Sequence, residues 1–335
     1  MTSVATVAAD VPAPDHQSAA AVRRRFGSRP VGRLGQLAEW LAGVQGRCPP
    51  ADFGRVRAVV FAGDHGIADL DVSAQPPGWS AAAVAGIAAG TAVVVGLAEL
   101  GGAGIRAVDV GVDADGGGPY RVRRGTGRID LEDAMSADES RAAVIAGATI
   151  ADEEIDAGAD LLIAAALGVG GTSVASTLVS VLTGTEPAKV IGWGGGIDDA
   201  AWMRKTALVR DARRRAIQHR GDPDRLLSAV GGLEHAALAG FLLQAASRRT
   251  PVLLDGAVSS SAALVAFQAQ PRAAAWWQAA QRGVDPAQTR SLDWLRLTPV
   301  LDLGFASEDG SGALIALPVL RAAVRLVPDA ELPDV

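Results

Sequence analysis

The chain has 335 residues, 49% of them hydrophobic and only 4% aromatic, and a net charge of −6. That length suffices for one large α/β domain or two smaller ones, and the acidic balance, without an extended Lys/Arg patch, argues against a nucleic-acid binder. No apolar run reads as a membrane span, which takes about 20 strongly apolar residues. No secretory leader is visible and Cys48 is alone, so a cytoplasmic home without disulfides is the expectation.

In chain order, residues 1–20 are Ala-, Pro- and Val-rich and are predicted to lack fixed structure. Val22 to Cys48 carries Leu34, Leu37, Leu41 and Val44 along one helical face, ended by Pro49-Pro50. Arg57 to Ala62 reads as a strand entering the tight turn Gly63-Asp64-His65-Gly66. Ser80 to Leu100 reads as a helix, Ile105 to Val112 as a strand, and Ala137 to Ala159 as a charged, Ala-rich helix. Asp160 to Ala166 is a buried-strand pattern, followed by Gly168 to Ser173 and a helix to Leu182. Lys189 to Gly192 reads as another strand, with Trp193 to Gly196 leading into a helix at Asp198-Asp199. Leu226 to Ala246 is a helix, Pro251 to Leu254 a strand, and Ser259 to Ala269 a helix. Near the end, a strand over Thr298 to Leu303 precedes Ser307 to Gly312 and a helix over Ala313 to Leu326. Strands alternating with helices imply a mostly parallel sheet covered on both faces.

In such sheets ligands bind beyond the carboxyl ends of the strands. The loops expected there are Gly63 to Gly66, Gly168 to Ser173, Gly194 to Asp199, Asp255-Gly256 and Ser307 to Gly312. Gly168 to Ser173 opens directly onto a helix, whose free N–H groups and dipole suit a phosphate. A purely structural Gly-rich turn fits the same residues. The loop is not a Walker A motif, and Ser173 occupies the third glycine position of a dinucleotide fingerprint. Glu308 or Asp309 is the candidate general base, although a helix N-terminus also favours carboxylates. His65 is either an acid/base or a turn residue bonded to backbone. The four histidines His16, His65, His219 and His235 show no metal-ligand spacing. From the residues alone, the reading ends at an acid/base enzyme for a small phosphorylated ligand.

Together these segments resemble the nicotinate-nucleotide–dimethylbenzimidazole phosphoribosyltransferases. The matching stretches are Val59 to Gly66 with Val72-Ser73-Ala74, Gly168 to Thr172, Gly196 to Asp199 through Arg204-Lys205, and Ala229 to Glu234. Val252 to Gly256 and Leu301 to Leu303 through Gly310 to Ala313 complete them, so the likeness runs in order from Arg33 to Leu326. It implies a three-layer Rossmann-like α/β domain over about residues 55–300. It also implies a small helical domain from about residues 21–50 and the C-terminal segment, so that residues 21–335 form one unit. The implied activity is that of a pentosyltransferase of cobalamin biosynthesis. It passes phosphoribose from nicotinate mononucleotide to 5,6-dimethylbenzimidazole or a related base, giving α-ribazole 5′-phosphate and nicotinate, with no metal and no cofactor. The family's base, a glutamate, falls on Asp309, with Glu308 just before it. The resemblance further implies substrate contacts at Ser73, Leu167, Gly168, Gly170, Gly171, Thr172, Gly194, Gly196 and Lys205, and a homodimer or a heterodimer with a paralogue.

The chain departs from the family pattern at several ligand-facing positions. An acidic residue before the first phosphate loop is Ala166, an asparagine in that loop is Gly171, a glutamine near the base pocket is Ala82, and a threonine is Gly195. These changes fit either an enzyme adapted to another base or a weak or inactive paralogue acting as a partner subunit or ligand-binding protein.

Overall fold

Val56–Gly63 and Leu161–Leu167 are apolar at nearly every position because both of their faces are covered, and they form the two central strands, β1 and β3. The computed structural model describes residues 4–7, 10–327 and 329. Its main sheet also holds β2 (Ala103–Gly111), β4 (Val252–Leu254) and β5 (Trp277–Ala279), in the order β2-β1-β3-β4-β5, with every pairing parallel. A separate parallel pair joins β6 (Gln281–Gly283) to β7 (Leu301–Phe305). The expected strand near the C-terminus therefore begins later than read and lies outside the main sheet.

The helices are α1 (Val4–Val7), α2 (His16–Phe26), α3 (Gly32–Gln45), α4 (Trp79–Ala88), α5 (Val93–Gly101), α6 (Ala137–Asp156) and α7 (Gly171–Thr183). They continue with α8 (Asp199–Ala216), α9 (Pro223–Val230), α10 (Leu233–Ser247), α11 (Gly256–Ala269), α12 (Pro286–Leu295) and α13 (Ser311–Leu326). Strand side chains alternate between two cores. Val59, Phe61, Leu162 and Ala164 meet α6, α7, α10 and α11 on one face. Val60, Ala62, Ile163 and Ala165 meet α2, α3 and α13 on the other. Small residues let these layers close up: a Cβ at Gly147 of α6 would stand 1.8 Å from the Ala237 carbonyl oxygen of α10.

Helices from the two ends of the chain, α2, α3 and α13, pack together, and their core is continuous with one face of the sheet. The expectation of a structureless segment through residue 20 fails for its described part. Val4 and Val11 are buried in the core, Asp15 caps α2, and the Trp276 indole donates to the Pro12 carbonyl at 2.8 Å. Residues 10–15 run without regular structure ahead of α2, yet Val11 still finds a groove in the core.

Other single elements of the sequence reading are broken in two. Val22 to Cys48 divides at Gly27, which has φ +57° and caps α2. Ser80 to Leu100 divides at Ala89–Ala92 into α4 (Trp79–Ala88) and α5 (Val93–Gly101), each too short to cross a bilayer of about 30 Å. This apolar segment is nonetheless poorly covered, with Val93 83% and Leu100 81% exposed. Leu226 to Ala246 divides at Gly231-Gly232, whose backbone is extended, and this places Glu234 in the first turn of α10.

The expected strand at Lys189 to Gly192 is a short 3-10 turn over Pro187–Lys189 followed by irregular chain. Its carbonyls are taken by side chains instead of a neighbouring strand: Ser176 donates to Val190, Trp202 to Ile191 and Lys205 to Gly192.

Candidate active site

The order of the sheet reverses between β1 and β3, since the chain runs outward from β1 to β2 and then back to β3. That reversal opens a crevice at the carboxyl ends of β1 and β3, the usual ligand position in an open parallel sheet. A cavity of about 660 Å³ lies there. Its floor is the loop Leu167-Gly168-Val169-Gly170, which runs into α7. Gly168 is required because a Cβ would sit 1.9 Å from the Gly63 carbonyl oxygen. Gly170 precedes α7 at φ +95°, a conformation that L side chains rarely adopt. The first N–H groups of α7 and its dipole therefore face the cavity, as an anion site requires.

Of the predicted substrate residues, Ser73, Leu167, Gly168, Gly170, Gly171, Thr172 and Gly194 all line this cavity. Gly196 does not. It turns at φ +104° ahead of α8, and its neighbour Gly195 takes the lining position. Lys205 lies under the loop and is fully buried, its Nζ donating to Thr172 Oγ1 at 3.0 Å and to the Gly192 carbonyl at 3.4 Å. Burial pushes this ammonium down from its ordinary pKa, against the opposing pull of Asp285 and Glu308.

The two candidate bases occupy different surroundings. Both border the cavity. The Glu308 carboxylate lies on the N-terminus of α11, accepting from Ala257 N at 2.9 Å and Val258 N at 2.8 Å. Gly256 makes room for it, since a Cβ there would be 2.3 Å from Glu308 Oε2. The Glu308 carbonyl also accepts from Ala166 N at 2.9 Å, which joins this segment to the end of β3. Burial lifts Glu308 to a pKa of about 8, over the opposing effect of the two N–H donors and with help from Asp285 and Asp255. Asp309 instead accepts from Ser307 Oγ at 2.6 Å and Ser311 N at 3.1 Å, a local turn at the start of α13.

Behind Glu308, Asp255 accepts from Gly312 N at 3.2 Å, and burial together with the nearby Asp309 raises it to about 7. The sequence reading named Asp255 only as a loop opening. It passed over Asp285, whose Oδ2 is buried without a hydrogen-bond partner. It also missed the apolar wall formed by Trp79, Ala83, Ile87 and Ala92 to Val94, which carries no motif and becomes a wall only when α4 and α5 fold back over the crevice.

His65 does not reach the cavity. It is buried beneath the loop with Nε2 2.9 Å from Glu234 Oε1, and Glu234 also meets His235 Nδ1 at 2.7 Å. Burial opposes charge on both partners. Even so, Glu234 holds His65 above its ordinary pKa, and the two imidazoles hold Glu234 below its own.

A family model described as phosphoribosyltransferase (DBI_PRT) matches residues 11–332. The chain belongs to this family. It is 50% identical over 325 residues to a Mycolicibacterium paratuberculosis protein named nicotinate-nucleotide–dimethylbenzimidazole phosphoribosyltransferase, covering 94% of this chain and 93% of the relative. A Mycobacterium tuberculosis protein of the same name is 51% identical over the same length, with 94% and 90% covered. Among solved structures, the phosphoribosyltransferase of that name from Thermus thermophilus superposes with a TM-score of 0.87 at 33% identity, over 93% of this chain and 96% of the other. A second structure from the same organism, titled CobT, gives 0.86. Family membership agrees with the three-layer α/β architecture.

Proposed function

We propose that this pentosyltransferase moves the phosphoribosyl group of nicotinate mononucleotide to 5,6-dimethylbenzimidazole or a related base, in cobalamin nucleotide-loop assembly. Relatives at 50% and 51% identity carry that donor and acceptor in their names, and the identity extends over nearly the whole chain, which gives an inactive paralogue no support. One observation carries the reading: a phosphate loop, an apolar wall and a high-pKa carboxylate border the same cavity.

In this reading the amides of Gly168 to Thr172 and the loop at Gly194 take the donor phosphate, with Lys205 as the buried counter-charge. Ser73 and Leu167 border the bound substrates. The aromatic acceptor lies against Trp79, Ala83 and Ile87. The lone pair of one acceptor nitrogen forms the new bond to the anomeric carbon while the bond to nicotinate breaks. The pyridinium leaves with that bonding pair as nicotinate, its ring nitrogen now uncharged and its carboxylate unchanged, and the acceptor N–H proton passes to Glu308. A carboxylate with a pKa near 8 suits proton abstraction better than a fully acidic one, because basicity rises with pKa. Each Glu308 oxygen accepts only one N–H and keeps a lone pair for the proton. Asp309, at the family's glutamate position, acts here by shaping the turn.

The test is product formation by purified protein given nicotinate mononucleotide and 5,6-dimethylbenzimidazole, comparing Glu308→Gln with Asp309→Asn. Formation of α-ribazole 5′-phosphate, lost in the first variant and largely kept in the second, supports the reading. Absence of product with this and related bases would sink the transferase proposal.

The exposed apolar surface of α4 and α5 supports a homodimer with a second copy covering Val93 and Leu100. Light scattering of the purified chain tests it. A cytoplasmic location rests on the lone Cys48 and the intracellular chemistry of a nucleotide donor.

A further inference from the structure

We propose that His65, Glu234 and His235 form a binding site for a first-row divalent metal ion, of the zinc class, directly beneath the phosphate loop. The donors come from two turns that the fold brings together: the end of β1 supplies His65, and the first turn of α10 supplies Glu234 and His235. One ligand atom from each of the three residues lies within 4.8 Å of the others. All three are buried, at 2%, 1% and 0% exposure, so they are shielded from competing water.

The pattern of unmet bonding points to a ligand. Glu234 Oε2, His65 Nε2 and His235 Nε2 are all buried without a hydrogen bond, although His65 Nε2 lies 2.9 Å from Glu234 Oε1. Buried polar atoms are almost always satisfied, so three orphans in one cluster call for a missing partner. Two imidazoles and a carboxylate are a donor set that suits zinc, cobalt or nickel better than magnesium or calcium.

Space and position fit as well. Donors about 2.0–2.1 Å from a tetrahedral ion stand about 3.3 Å from one another, so the present 2.7 and 2.9 Å contacts need only a small swing of Glu234. Glycine borders the cluster on three sides. A Cβ at Gly63 or Gly232 would come within 2.8 Å of a Glu234 oxygen, and one at Gly171 would be 3.8 Å from both Glu234 Oε1 and His65 Nε2. The glycines therefore make room for the Glu234 carboxylate between the two imidazoles. Three protein donors leave a fourth position, which is typical of zinc sites that also take water. The ion would tie β1 to α10 under the loop and hold Gly170 and Gly171 in place. It is a positioning element beneath the loop, with Glu234 alone of its three ligands bordering the cavity, and the inference does not depend on the transferase reading.

The experiment uses the full chain, freed of metal with a chelator and titrated with zinc chloride by calorimetry. Bound metal is counted by elemental analysis, and cobalt substitution is followed by its visible spectrum. One zinc per chain with a dissociation constant below about 1 μM, and a tetrahedral cobalt spectrum, are expected. His235→Asn retains a short polar group beside Glu234, and its metal-free melting temperature establishes that it folds. It should weaken zinc at least tenfold, and His65→Gln should do the same. No saturable binding, or binding unchanged in both folded variants, would overturn the site and leave a proton-sharing His–Glu–His cluster in its place.

Discussion

The buried carboxylate of Asp64 accepts the backbone N–H of Val169 at 2.9 Å, so the phosphate loop hangs from the turn that ends β1. The same carboxylate accepts from Asp113 N at 2.9 Å and from the Ser80 hydroxyl. One side chain thus ties together the loops after β1, β2 and β3 and the start of α4. Hydrogen bonds to a carboxylate are among the stronger ones in proteins, and here three of them set the shape of one cavity.

Asp64→Asn replaces one acceptor oxygen with a donor that faces N–H groups. It should lower stability by about 2 kcal/mol in denaturant titration, and it should raise the nucleotide KM more than the acceptor KM, since the loop it holds is the phosphate floor.

Glu308→Gln should cut kcat/KM by roughly a hundredfold or more, the usual range for losing a general base. Asp309→Asn keeps an oxygen for Ser311 N and should cost less than about tenfold. Steady-state kinetics on both variants separates the two carboxylates. Equal losses would mean that the base assignment is wrong.

The pH profile follows from the raised pKa of Glu308. A base must be ionised to act, so kcat/KM should rise with pH and level off above about 8. Asp285 carries like charge toward Glu308 and helps keep it protonated. Asp285→Asn should move the rising limb to lower pH, whereas a change with no effect on Glu308 would leave the midpoint in place.

Asp255 yields a stability prediction of unusual sign. Its folded pKa of about 7 lies above the ordinary value of 3.8, so between these values the folded protein holds a proton that the unfolded chain has released. Stability from this group is fully present below the unfolded pKa and falls as pH rises through the folded one. Asp255→Asn removes that loss. Relative to the parent it should gain on the order of a few kcal/mol between pH 4 and pH 8, measured as the difference in unfolding free energy at the two values.

Ala83→Phe narrows the cavity at its apolar wall, away from the phosphate loop. The acceptor KM should rise by about tenfold or more while the nucleotide KM stays near its parent value. A matched rise in both would mean that the wall does not hold the acceptor.

Local pattern carried much of the architecture. The runs at Arg57 to Ala62 and Asp160 to Ala166 lie between helices on both faces, and a strand buried on both sides has to be apolar throughout, so these two were readable. The phosphate loop was readable for a related reason: Gly168 and Gly170 sit where a side chain would strike the Gly63 carbonyl or meet a forbidden φ. The breaks at Ala89–Ala92 and Gly231-Gly232 were not, because Ala and Gly permit a helix and only packing decides whether it continues. Lys189 to Gly192 reads as a strand by composition, yet Ser176, Trp202 and Lys205 claim its carbonyls from elsewhere in the chain.

By itself, then, the sequence determined the alternation of strands and helices, the glycine turns and the set of candidate carboxylates, since each depends on neighbours a few residues away. Tertiary structure alone decided that Glu308 rests on the amides of Ala257 and Val258 while Asp309 closes a local turn. It alone brought His65 to Glu234 and His235, residues with no metal-ligand spacing in sequence. The physical reason is that burial and the partners of a charge are set by segments distant in the chain. A carboxylate's pKa, and whether it is a base, a cap or a ligand, follows from those partners and not from its own few neighbours.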